Sequence, residues 1–155
     1  MNALANKPTN QDRREGCAGQ PVQIMMKFKE YDAGRSTSFR PKQGRDCVVR
    51  VYAIMMDIPY DSAYETFAGL GRKSGCSTPK RMWQNLLCDH AVVELRFPAV
   101  SGQKRMNLIS FCNEYRLGTF LVQMAGHVTA VIDGVVHDVF EPRHNGCVYA
   151  AWRKE

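Results

Sequence analysis

No run of about 18 apolar residues occurs in the chain, so no membrane-spanning helix is expected. The first residues lack the apolar core of a secretory signal, which points to the cytoplasm as the working compartment. There is no Cys-x-x-Cys pair, and Cys76, Cys88 and His90 lack the ligand spacing of a structural zinc site. The six cysteines therefore read as free thiols rather than as a disulfide framework or a metal site. No aromatic-interleaved basic stripe is present either. The net charge of +6 is scattered over pairs such as Arg13 with Arg14, Lys80 with Arg81 and Lys104 with Arg105, which disfavours nucleic acid as the partner. No internal repeat is visible.

What remains is ordinary for a globular chain: 155 residues, 45% apolar and 23% charged, enough for one core without staples. Residues 1–20 are polar and aperiodic and read as a flexible tail, leaving residues 21–155 as a single domain. Val22, Ile24, Met26 and Phe28 alternate between Pro21 and Lys29, which predicts a half-buried strand. A Gly-, Ser- and Arg-rich loop over 32–45 leads to Asp46, a good N-cap, and to a helix that is apolar on nearly every side except at Arg50. Its valines leave a strand open as the alternative. Pro59 closes it, Asp61 caps a second helix to about Leu70, and Thr78-Pro79 opens a third to about Cys88. Ala91 to Phe97 reads as a strand, and Asn107 caps a short fourth helix. Strands follow at Thr119–Met124, His127–Ile132, Val135–Phe140 and Cys147–Trp152, with Asp133-Gly134 as a hairpin turn. Cys88 and Cys112 are expected in the core and Cys147 in the sheet. The order is helices first, then antiparallel strands: an α+β fold.

The chemistry concentrates at two places. Cys47 begins a helix, where the dipole acidifies a thiol, and His127 begins a strand. With a two-residue turn at Asp133-Gly134, Ile132 faces Val135 and Thr129 faces Asp138. Asp138 is then a diagonal neighbour of His127, at roughly 7 Å between Cα atoms, and His137 points to the other face. A carboxylate on one imidazole nitrogen fixes the tautomer and frees the other nitrogen for the thiol proton. The catalytic set is thus Cys47, His127 and Asp138. The Cys47 backbone N–H and the Gln43 side-chain amide are the candidate oxyanion donors.

These residues carry a resemblance. The loop-to-helix start at Asp46-Cys47, followed by strands bearing Gly126-His127 and then Asp138, resembles the papain-like cysteine peptidase superfamily. More narrowly, Asp46-Cys47-Val48-Val49-Arg50, Thr78-Pro79-Lys80-Arg81 and the run from Gly126 to Asp138 are similar to small phage and bacterial papain-fold proteins near the NlpC-type and bacteriocin-processing branches. The similarity spans about residues 43–141. It implies a papain-like domain over residues 21–155, with N-terminal helices packed on a C-terminal antiparallel sheet. It also implies a cysteine hydrolase (peptidase, isopeptidase or deamidase) working through a thioester on a protein or peptide substrate, without metal or cofactor. In that family the nucleophile is carried here by Cys47, the base by His127 and the orienter by Asp138. Asn145 is the alternative orienter, since many members use asparagine. Gln43 stands closer to the nucleophile than the family's oxyanion glutamine does. The rival readings are a non-catalytic phage-type protein of this fold that binds a host protein, and a basic nucleic-acid-binding protein.

Overall fold

A computed structural model describes residues 25–155. The expected tail over 1–20, Cys17 within it, and the start of the expected first strand at 21–24 lie outside the described residues. Among the described residues the chain is mixed α and β, with four α-helices and one six-stranded sheet. In chain order these are β1 (Lys27–Glu30), α1 (Cys47–Met56), α2 (Tyr60–Gly69), α3 (Lys80–Cys88), β2 (Val92–Arg96), α4 (Leu108–Glu114), β3 (Thr119–Met124), β4 (His127–Ile132), β5 (Val135–Asp138) and β6 (Ala150–Lys154). No helix among them is long and apolar enough to cross a membrane.

The sheet runs β1-β5-β4-β3-β6-β2. Its centre is a meander, β5-β4-β3, with Ile132 opposite Val135 and Met124 opposite His127. Asp133 and Gly134 both take positive φ, at 49° and 74°, as a two-residue turn that follows the strand twist requires. The expectation of a purely antiparallel, C-terminal sheet needs correcting. β1 precedes every helix yet pairs with β5 in parallel, Glu30 opposite Asp138, and β2 forms the other edge against β6. The connection from β1 to β5 carries all four helices and three strands, which gives the chain length enough to return in the same direction, as a tight turn cannot.

Strand alternation sorts the apolar side chains into two clusters. Leu121, Val128, Ala130, Ala150 and Trp152 join α1, α2 and α3, while Val122, Val131, Val136 and Ala151 join α4. In α1, Val49, Val51 and Met55 are buried against α2 and β4, so tertiary packing overrides the poor helix propensity of valine. In α3, Trp83 and Leu87 share the buried face, and the Trp83 ring meets Trp152 edge-on at 4.9 Å. Cys88, the last residue of α3, falls off that face and is exposed. Cys88 is therefore not the core residue expected, and Cys147, expected within a sheet strand, is exposed in an isolated bridge to Asn107 ahead of β6.

Three expected caps do other work. Asp61 lies inside α2, behind Pro59 at the N-cap, and accepts from Phe39 N–H at 3.0 Å. Thr78 is buried and its hydroxyl accepts from Arg72 Nε at 3.1 Å, leaving Pro79 at the N-cap of α3. Asp46 makes no cap bond either. Asn107 does cap α4, its side chain accepting from Ser110 N–H at 2.9 Å.

Candidate functional site

β3 ends, β4 begins and β5 ends at the same end of the sheet, beside the N-terminus of α1, and this convergence assembles the site. Cys47 is the first residue of α1 and is half-buried. His127 is the first residue of β4, and Asp138 the last of β5. The His127 Nε2 lies 2.6 Å from Asp138 Oδ2, so Nδ1 is the nitrogen left for the Cys47 thiol, which lines the same cleft as the ring. The diagonal relation expected from the hairpin register is what the structure holds. His137 turns away and sets its ring edge-on to Tyr31.

The sequence reasoning missed what stands behind Asp138. Arg50, one helical turn after Cys47, is 4% exposed, and its Nη1 donates to Asp138 Oδ1 at 2.8 Å. Val139 N–H donates to the same oxygen, so a wholly buried carboxylate has every contact satisfied. Arg50 Nε also donates to Asp46 Oδ1 at 3.2 Å. Asp46 in turn accepts from Arg35 Nη1 at 3.1 Å and from the Tyr60 hydroxyl at 2.8 Å. A buried ionic chain thus runs Arg35–Asp46–Arg50–Asp138–His127–Cys47. Two sequence signals foreshadow it: Arg50 is the lone charge in an otherwise apolar helix, and Asp46 precedes it by one i, i+4 step.

The electrostatics follow from these contacts. Burial alone lowers the affinity of His127 for a proton. Hydrogen bonds to Asp138 and Cys47, with the charges of both, overcome this and lift its pKa to about 9. Burial pushes the Cys47 thiol up, but the His127 hydrogen bond, the Val128 backbone N–H and the charges of His127 and Arg50 bring it below its ordinary value. Asp138 is held below the usual carboxylate range against burial, by the hydrogen bonds and charges of His127 and Arg50. These contacts all favour a thiolate–imidazolium pair braced by a carboxylate over the neutral pair. Cys112, by contrast, is buried among apolar residues, which push its thiol up to about 11 and leave it inert.

Three depressions meet at Gly126 and His127. One of about 290 Å³ runs over Cys47, Ser77, Lys80, Trp83 and Gln123. A second of about 320 Å³ is lined by Cys47, Arg35, Arg45 and Phe140. The third, about 390 Å³, lies between Met124, Phe140, Arg143 and Cys147. Cys47 therefore borders open space on two sides of the His127 ring.

Two sequence-predicted residues are not brought to this cleft. Gln43 is tied to the neighbouring loop, its Oε1 accepting from Gly75 N–H at 2.8 Å and its Nε2 donating to Ser74 at 3.0 Å. Asn145 is exposed in a turn, and the imidazole nitrogen it would hold is already bonded to Asp138. The side-chain amide that does line the cleft is Gln123, whose Oε1 is buried without a partner among the described residues. Backbone donors are also at hand. The α1 ladder begins with Arg50 N–H to Asp46 C=O at 3.0 Å, so the N–H groups of the three residues before Arg50 have no helical acceptor. Such a site can activate a sulfur, hold an acyl group and receive a negative oxygen. In comparisons with known proteins, no family model, no curated protein and no solved structure matches this chain.

Proposed function

We propose that this chain is a papain-like cysteine hydrolase that cleaves an amide through a thioester. The reading rests on one observation: Asp138 hydrogen-bonded to His127, with the His127 ring and a half-buried Cys47 lining the same cleft. The helix-borne cysteine, strand-borne histidine and next-strand carboxylate fall in the order of that superfamily, and helices α1 to α3 share an apolar cluster with β3, β4 and β6. The Cys47 thiolate attacks the acyl carbon. The oxyanion is received by N–H groups at the start of α1, with the Gln123 amide as the side-chain donor. His127 Nδ1–H then protonates the departing nitrogen, leaving a thioester and a neutral imidazole. Nδ1 next takes a proton from water, which attacks the thioester and returns Cys47 to the thiolate. Asp138 holds the ring by Nε2 throughout.

The chain carries its own reference thiols, because Cys76, Cys88 and Cys147 are exposed. Treatment with limiting iodoacetamide at pH 6, with the modified positions mapped by mass spectrometry, compares them directly. Cys47 is expected to be alkylated first by a wide margin, and His127→Ala to remove that preference. Uniform slow alkylation overturns the hydrolase and leaves the binding-protein reading.

A further inference from the structure

We infer that the cleft takes an acidic peptide segment, with carboxylates on either side of the reacting acyl group and an apolar side chain against Phe140; this rests on the hydrolase reading. Each of the three depressions around His127 carries one cation without a carboxylate partner among the described residues. Arg45 stands in one, Lys80 in the next and Arg143 in the third. The only carboxylate on any of their walls is Asp46, and Arg35 and Arg50 already neutralise it. Open space bordered by unpaired positive charge on three sides holds a positive potential, felt over about 8 Å at physiological salt.

The wall between these cations is apolar. Phe140 is 53% exposed, its ring 4.9 Å from that of His127, and it borders two of the depressions. An exposed aromatic ring beside the base is a surface for a substrate side chain rather than for the core. Spaced single cations with an apolar wall between them match single carboxylates along an extended peptide. A nucleic-acid strand, with a phosphate about every 3.4 Å, asks for a denser row of positive groups than one per depression. An acyl carbon, which the sulfur needs, is also what a peptide offers.

The test uses the full chain and two reagents of opposite demand, neutral iodoacetamide and anionic iodoacetate, each read at Cys47 by mass spectrometry. Relative to N-acetylcysteine amide in solution, the iodoacetate-to-iodoacetamide rate ratio at Cys47 is expected to rise by at least about threefold at low salt. It should fall towards the reference in 0.5 M salt, a concentration chosen to shorten the screening length. It should also fall in the variant Arg45→Asn, Lys80→Gln, Arg143→Gln, where asparagine suits the positive φ of 51° at position 45. A second arm measures protection of Cys47 from iodoacetamide by acetylated peptide amides. A glutamate–leucine–alanine–glutamate peptide is expected to protect at about tenfold lower concentration than its glutamine counterpart. Equal potency of the two peptides, an unchanged reagent ratio, or better protection by a single-stranded oligonucleotide of equal charge overturns the inference. If Cys47 keeps its fast, selective alkylation in those cases, the hydrolase reading survives alone; if that selectivity is missing, both fall.

Discussion

Cys47 and His127 define the pH behaviour to expect. The thiolate forms as pH rises through the lowered pKa of Cys47, so alkylation should climb below the pH at which an ordinary thiol ionises and then level off. Hydrolysis should follow the same rise but decline again above about 9, where His127 loses the proton owed to the leaving nitrogen. A bell for hydrolysis beside a plateau for alkylation is the expected pair of profiles; two identical curves would remove His127 from the acid role. The same raised pKa stabilises the fold, in full below the unfolded value of about 6.5 and progressively less as pH rises through about 9. Arg50→Met leaves buried Asp138 and Asp46 short of a cation, and should cost about 3–5 kcal/mol in urea unfolding. Gln123→Ala is expected to lower kcat by about 10²–10³ if its amide receives the oxyanion, whereas Gln43→Ala, whose side chain is bonded to the 74–75 loop, should loosen that loop instead. The His127–Asp138 pairing was legible because hairpin parity is a local rule. Arg50 to Asp138 was not, since a contact between positions 88 apart has no local signature. Gln123 was hidden for a related reason: nothing in a strand's alternation says that one of its faces ends at a cleft.

Among the elements, the β4–β5 hairpin sets the register that joins His127 to Asp138, so its turn is where the site is most open to indirect damage. Gly134 has φ +74°, and a Cβ there would come within 2.8 Å of the Cys112 carbonyl oxygen. Gly134→Ala should cost more than about 1 kcal/mol and depress activity further than its distance from Cys47 suggests; equal thermal midpoints for variant and parent would contradict this. Asp133 reinforces the turn by accepting from Gly118 N–H at 2.8 Å. Apolar periodicity and turn chemistry placed all four helices and the strands of the meander close to their observed bounds. Misjudged elements share one cause: the rule used was local and the partner was not. Asp46 and Thr78 have the composition of caps, yet arginines reaching from elsewhere claim their oxygens. β1 alternates as a strand should, but nothing in four residues says whether its neighbour runs parallel.

In the whole molecule, one sheet carries separate apolar clusters on its two sides, and β6 contributes to both through Trp152 and Ala151. Trp152→Ala should therefore cost about 3–5 kcal/mol while leaving a single unfolding transition. Two resolved transitions in urea would show that the sides melt independently. β6 also lies between β3 and β2 in the sheet although it is the last strand of the chain. A ribosome-bound polypeptide that has not yet emerged through residue 154 has its cysteine helix and its histidine strand but a sheet divided at that gap. A chain cut before Ala150 should therefore keep the meander of β3, β4 and β5 yet leave β2 without a neighbour and the Trp83 ring without its partner Trp152.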